Sequence, residues 1–387
     1  VTELQIVRLL VKATDEHTFI ALAEGDTLVE LFIEPPTGSE PGSWVGRIVV
    51  GRVKTILPGG FAFVDVGAKK NAFMNLRPGH GLKAGDAVLV QVEKDATGTK
   101  GMYVGREITL RGRLVVVTKG HSPAVGVSNK ITNEKEARRL RKIVRKNLPA
   151  GFGAIIRTNA QNATAESVAD EVTTLSARLA DIFARAEFLR PPAFPAQEAS
   201  FFAGILSDLP APDEIIIDAP EECFPREEIT LPGVEVRYEK VSVKKQIRAA
   251  LEKEVRLPCG GFITIERTEA CVVIDVNTGG NVGKINYAQA VRDTNIEAAR
   301  AIAAQIRLRN LSGIILADFI DMSSNDDKAA VLAALADAIK SDRIKVEIAG
   351  FAGLGMVLLT RRRTRPPIAE ILQAPCEHCD GTGQRRV

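Results

Sequence analysis

The stretch between residues 268 and 322 constrains the fold more than any other part of the chain. It holds two apolar runs rich in β-branched residues, 271–276 and 313–317, with Asp275 and Asp318 at their C-terminal sides. Between them, NYAQAVRDTNIEAARAIAAQIRLRN repeats Ala and Ile at helical spacing. A strand, a crossover helix and a second strand put two strands side by side in a parallel pair. Side chains alternate along an extended strand, so Asp275 and Asn277 project to one face. Asp318 is expected at the matching end of the neighbouring strand, where open α/β sheets bind ligands. Two carboxylates and an amide oxygen, with no histidine nearby, suit Mg²⁺ or Mn²⁺. Loop aspartates often do no more than cap helices, but the pairing at two strand ends, with Asn277 on the same face, favours a metal. Asp321 either joins the pair or caps the helix that begins near Asn325.

A chain of 387 residues is long for one core, so several domains are expected. The net charge of +3 is too small to point to nucleic acid by itself, but basic residues crowd together at 138–146 and 361–365. No run is long enough to span a membrane, and the first residues lack a signal-peptide pattern. Five cysteines with only one close pair argue for a reducing cytoplasm and against a disulfide scaffold. His17, His80 and His121 are scattered through the first third of the chain, which excludes a histidine-based catalytic centre around the aspartates.

Residues 1–34 alternate as three strands, too few to fold alone, and EPPTGSEPGSW then marks a boundary. Short strands with glycine turns follow over 45–107 (GRIVVGRVKTI, GGFAFVDVG, NAFMNL, AGDAVLVQVEKD), the pattern of a small closed barrel. Beyond them, NEKEARRLRKIVRKNL is a strongly basic helix, GAIIRTNA a strand, and 163–188 a helix capped by Asn162 or Thr164. Arg157 and Thr158 lie just past that strand, where a guanidinium, a hydroxyl and loop amides can receive a terminal phosphate. Strand and helix alternate over 206–250, with a helix expected over 241–255. After the aspartate unit come a helix over 325–339 and a strand over 344–348. GGNVGK is not a phosphate loop, because Thr278 takes the place of its first glycine and Ile285 follows the lysine. The terminal pair Cys376 and Cys379 is half of a tetrahedral zinc site, the rest coming from His378, solvent or a second chain. A redox pair is the alternative, although such pairs open a helix after a strand. Cys223, Cys259 and Cys271 fall on or beside apolar segments and read as core thiols.

IDVNTG, TNIEAARAIAAQIRLRNLSGIILADFIDM and CEHCDGTG resemble the catalytic core of the RNase E/G family of bacterial endoribonucleases, and the likeness extends more loosely over nearly the whole chain. The resemblance implies an α/β multidomain protein. A structural RNase H-like domain (1–34 with 206–250) would carry an inserted S1-type OB-fold barrel (35–107) and a 5′ sensor region (108–205). A DNase I-like α/β catalytic domain (251–373) and a zinc-link (374–387) would follow. It implies Mg²⁺- or Mn²⁺-dependent cleavage of single-stranded RNA at Asp275 and Asp318, positioned by Asn277. The roles implied are RNA processing and decay, as rRNA maturation or mRNA turnover. Bases would stack on Phe63 and Phe73 beside Lys100; for Phe61, stacking and core filling both fit. A stimulating 5′-monophosphate would dock at Arg157 and Thr158. Two chains would share Zn²⁺ through Cys376 and Cys379, making a cytoplasmic homodimer. The chain reads as a short form, without the tetramerisation domain and disordered tail of larger members. It departs from the family at Leu358-Leu359, where Glu-Met is usual, and at Gly280, where many members have Arg. Those departures sustain one alternative: a catalytically impaired RNA-binding or assembly protein on the same fold.

Overall fold

In the sheet that carries the aspartates burial alternates residue by residue along the central strands, so one face packs on helices and the other is left open. The computed structural model describes residues 6–34, 44–79, 81–96, 101–120, 124–196, 201–209, 211–224, 229, 231, 233–279, 287–352, 355–374 and 376–379. Lys100 and Gly280 lie outside them. The chain divides into two compact units, Val1–Glu40 with Pro212–Val387, and Pro41–Ala211.

The first unit holds two sheets. In one, Val7–Ala13, Thr18–Glu24 and Thr27–Glu34 form an antiparallel meander. Val7–Ala13 also pairs in parallel with Glu214–Asp218, which pairs in parallel with Glu235–Tyr238. Arg8 Nε reaches Glu214 Oε2 at 3.3 Å, and Lys12 pairs with Asp218. Segments more than 200 residues apart thus complete one five-stranded sheet.

The second sheet has six strands, in the order Glu254–Arg256, Phe262–Arg267, Cys271–Asn277, Gly313–Asp318, Met356–Arg361, Val346–Phe351. The helix Tyr287–Leu308 makes the crossover between the two parallel strands. It and the helix Asn325–Ile339 contribute to the core under Ile263, Ile274, Val276, Ile315, Ala317, Val357 and Leu359. Two expectations need correction. The helix expected over 241–255 is confined to Lys244–Ala249. The chain then turns into a strand in which Val255 pairs with Ile263, a case of cross-strand packing overriding local helix propensity. The last strand starts at Val346 and continues to Phe351 through a bulge, where Gly350 takes φ 87°.

Buried Glu30 of the first sheet accepts from Arg343 and Arg365, and Arg307 of the crossover helix lies 3.4 Å away. Burial pushes its pKa up, but the hydrogen bond from Arg343 and the three positive charges hold it below the usual carboxylate range.

In the second unit, Ile48–Leu57, Phe61–Asp65, Ala72–Asn75, Tyr103–Gly105 and Ala87–Lys94 close a five-stranded, OB-like barrel. Val49, Val53, Ala62, Val64, Ala72, Met74 and Val104 fill it. A four-stranded sheet follows, in the order Val125–Val127, Phe152–Ile156, Val115–Lys119, Ile108–Arg111. Two helices pack on it. Glu134–Asn147 is capped by Asn133, and Ala165–Ala186 by Thr164, whose hydroxyl accepts from Ser167 N at 3.1 Å. Among the described residues no helix is long and apolar enough to cross a membrane.

Candidate active site

Asp275 and Asp318 are register partners on the two parallel strands. They lie on the open face, because Ile274, Val276 and Ala317 on either side of them point into the core. Asn277 shares that face, and its Nδ2 donates to Asp275 Oδ2 at 2.6 Å. The bond fixes one carboxylate oxygen and leaves the other available. Just beyond, Gly279 sits at φ 61°, and a Cβ there would come 2.5 Å from Gly260 O, so only glycine fits the exit from the strand.

The loop after Asp318 is held by a residue that the sequence reading missed. Asn295, fully buried in the crossover helix, donates to Ile320 O at 2.8 Å and accepts from Ile320 N at 3.1 Å. The available signal was an amide at a core position of an amphipathic helix. The clamp fixes Asp321 beside Asp318. A Cβ on Gly355 would lie 3.1 Å from Asp321 Oδ1 and 3.9 Å from Asp318 Oδ1, so both carboxylates converge on that glycine. The helix Asn325–Ile339 is capped by Ser324, not by Asp321.

Burial raises the Asp318 pKa above the usual aspartate value, and the charges of Asp275 and Asp321 raise it further. Among the described residues no Lys or Arg pairs with any of the three. Among the described residues no group of three carboxylates is close enough to hold an ion by itself. The pair Asp275 and Asp318, one of them fixed by an amide, suits a hard divalent cation such as Mg²⁺ or Mn²⁺, which fills its other positions with water and phosphate oxygens. Leu358, on the next strand, pairs with Leu316 on the same face as Asp318 and is half-buried.

The barrel presents a second constellation. Its strands alternate so that Ala62, Val64, Ala72 and Met74 fill the interior while Phe61, Phe63 and Phe73 point outward. Phe63 is 36% exposed. Phe61 stacks on Phe73 with centroids 5.1 Å apart, Phe63 meets Phe73 edge-on at 6.0 Å, and Tyr103 lies 6.1 Å from Phe73. Lys94 Nζ stands 5.6 Å from the Tyr103 ring centre. Phe61 therefore belongs to the outer cluster and not to the core. Tyr103 joins it from a strand whose register the sequence did not reveal.

Arg157 follows the strand Phe152–Ile156, but its guanidinium is occupied. It donates to Gly112 O at 2.6 Å, to Ser207 O at 3.1 Å and to Asp208 Oδ1 at 2.9 Å. A phosphate at Arg157 must compete with Asp208. The Thr158 hydroxyl lies 3.0 Å from Ser128 Oγ.

Cys376 is exposed and Cys379 half-buried, in a turn where Cys379 N donates to Cys376 O at 3.3 Å. Among the described residues no group of three His, Cys, Asp or Glu could close a metal site around them. Two accessible thiols at this spacing fit half of a tetrahedral zinc site. Cys259 and Cys271 are half-buried, but Cys223 is exposed, contrary to its reading as a core thiol, because it lies in a short surface turn.

A family model, the ribonuclease E/G family, matches residues 109–364. Ribonuclease G of Salmonella typhimurium (strain SL1344) is 36% identical over 97% of this chain and 83% of its own length. For ribonuclease G of Escherichia coli K12 the identity is 34% over the same shares. Ribonuclease E of Nostoc sp. PCC 7120 is 33% identical over 95% of this chain and 58% of its own length. With the carboxylates and the amide clamp inside residues 109–364, and relatives more than 30% identical over nearly the whole chain, the chain belongs to the ribonuclease E/G family.

Proposed function

We propose that this protein is an endoribonuclease acting in RNA processing and decay, with Asp275 and Asp318 holding a divalent cation at the scissile phosphate. The observation that carries the reading is the register pairing of Asp275 with Asp318 at adjacent strand ends, with Asp321 near Asp318 and no Lys or Arg paired with them among the described residues. When bound, the cation supplies a polarised phosphate oxygen and a water of lowered pKa. Asn277 holds Asp275 in one orientation, and Asn295 holds the loop that brings Asp321 to Asp318. The outward rings of Phe61, Phe63, Phe73 and Tyr103 suit stacking with unpaired bases, which favours single-stranded RNA whatever its sequence.

The finer parts of the reading are stimulation by a 5′-monophosphate at Arg157 and Thr158, and a homodimer sharing one zinc through Cys376 and Cys379. The first is supported by the side chains of that loop, where a phosphate entering at Arg157 displaces Asp208 from a guanidinium already oriented. The second is supported by two accessible thiols that leave a tetrahedral site half complete.

The deciding experiment incubates the purified protein with single-stranded RNA bearing either a 5′-monophosphate or a 5′-hydroxyl, with and without Mg²⁺. Mg²⁺-dependent internal cleavage, faster on the monophosphate, is expected. Tight binding without cleavage under any divalent cation would instead identify a non-catalytic RNA-binding protein on this fold.

A further inference from the structure

The helix Glu134–Asn147 carries charge in a lopsided way. Its two acids, Glu134 and Glu136, stand in the first turn and pair with Arg138 and Arg139. The remaining turns carry Arg141, Lys142, Arg145 and Lys146, and none of these pairs with an acid among the described residues. Cations near a helix C-terminus complement its dipole. That accounts for one or two exposed side chains, but not for Arg141, which is mid-helix and half-buried.

Two open clefts run along this helix beside the edge strand Val125–Val127. One, of about 490 Å³, is lined by Val127, Ser128 and Asn129 together with Arg141 and the ion pair of Arg138 with Glu134, which leaves Arg141 as its uncompensated charge. The other, of about 450 Å³, is lined by Val125 and Phe152 together with Arg145. Positions 138, 141 and 145 share one flank of the helix, separated by about 4.5 and 6 Å along its axis. Guanidinium groups set at that interval in concave ground offer forked donors to successive phosphates. The Ser128 hydroxyl, 3.0 Å from that of Thr158, joins the first cleft to the Arg157–Thr158 loop.

We propose that this flank of the helix and the edge strand form a second RNA track. It takes the sugar-phosphate backbone of single-stranded RNA, with Arg141 and Arg145 as the phosphate contacts and Ser128 and Asn129 facing the sugars. The proposal rests on the ribonuclease reading for the identity of its ligand. Concave clefts holding arginines favour a threaded strand over a flat lipid surface.

The test measures binding of a 5′-hydroxyl single-stranded RNA oligonucleotide by fluorescence anisotropy across a salt series. The Asp318→Asn chain is used throughout, so that cleavage does not intervene. Each phosphate contact on a single strand contributes roughly 0.7 to the slope of log K against log salt. Arg141→Gln with Arg145→Gln should therefore flatten the slope by about 1.4, and exposed Arg145→Gln alone, which cannot disturb the core, by about 0.7. Lys142→Gln with Lys146→Gln removes the same charge away from the clefts and should change the slope by less than half as much. Unchanged slopes for both arginine variants would overturn the track, even if an acidic protein were found to bind the helix. Equal effects from the arginine and lysine pairs would overturn it in favour of net charge alone. Absence of cleavage by the wild-type chain would count against the nuclease reading and leave these slopes interpretable.

Discussion

Asn295 holds Ile320 by both of its backbone polar groups, from a fully buried position in the crossover helix. The loop that sets Asp321 against Asp318 is therefore fastened from beneath the sheet. Asn295→Ala strands an amide and a carbonyl, at a cost of about 1–3 kcal/mol in stability. RNA cleavage should fall more steeply than the melting temperature alone explains, while RNA affinity holds. Equal cleavage per folded molecule would show that the loop keeps its place without the clamp.

Asp275→Asn and Asp318→Asn each remove a charge that a cation requires while keeping the shape. Cleavage should drop at least about a hundredfold, a loss of several kcal/mol of transition-state stabilisation. The two states of Asp318 also set a sign for stability. Its pKa is raised in the folded chain, so ionisation costs stability as pH rises through the unfolded value towards the folded one. Without divalent cation, Asp318→Asn should therefore melt higher than wild type at neutral pH. Added Mg²⁺ should raise the wild-type melting temperature and leave the variant's nearly unmoved. A variant that melts lower than wild type in chelator would contradict the like-charge account.

Phe73 touches Phe61, Phe63 and Tyr103, so Phe73→Ala breaks the ring cluster at its hub. Binding of single-stranded RNA should weaken by roughly 1–3 kcal/mol per lost stack, with little dependence on sequence. Tyr103→Ala should cost about one stack. Filter-binding curves on several homopolymers give the comparison, and a loss confined to one base would point to hydrogen-bonded readout instead.

Glu30→Gln leaves three arginines gathered around a neutral side chain. Truncating a buried ion network costs about 3–5 kcal/mol, and chemical denaturation should register a loss of that order. The folded pKa of Glu30 is depressed, so its contribution is present above the unfolded carboxylate value and disappears as pH falls through the folded one. The gap between wild type and variant should accordingly close in acid. A gap that stayed constant down to strongly acidic pH would remove Glu30 from the account.

Cys376→Ser with Cys379→Ser should abolish zinc binding and shift sedimentation from dimer to monomer, at half an ion per wild-type chain. One zinc per monomer, with His378 as a ligand, would refute sharing between chains.

How much of this the sequence makes legible depends on whether the signal is local. Asp275 and Asn277 lie two residues apart on a β-branched strand, so their common face followed from alternation alone. The Asp318 register needed only the crossover helix between two apolar runs. Asn295, Gly355 and Tyr103 were not visible. Each matters through a partner brought close by tertiary packing, which no periodicity encodes. The helix expected over 241–255 failed for the same reason: its second half found a better partner in Ile263 than in its own preceding turn. Arg157 shows a third case, in which the residue stands where expected but its donors are engaged by Asp208 and two carbonyls.

The five-stranded sheet of the first unit has a consequence for how the protein is made. Its opening meander leaves the ribosome early, yet the strand that completes its parallel pairing, Glu214–Asp218, lies more than 200 residues downstream. At about 5–20 residues per second that is an interval of roughly 10–40 seconds. During this time the free edge of Val7–Ala13 is open to mispairing. The residues of Pro41–Ala211 form a complete unit of their own and can fold within the same interval. Nascent chains halted before Asp218 should therefore resist protease across the barrel and the four-stranded sheet while the first strands are still cut.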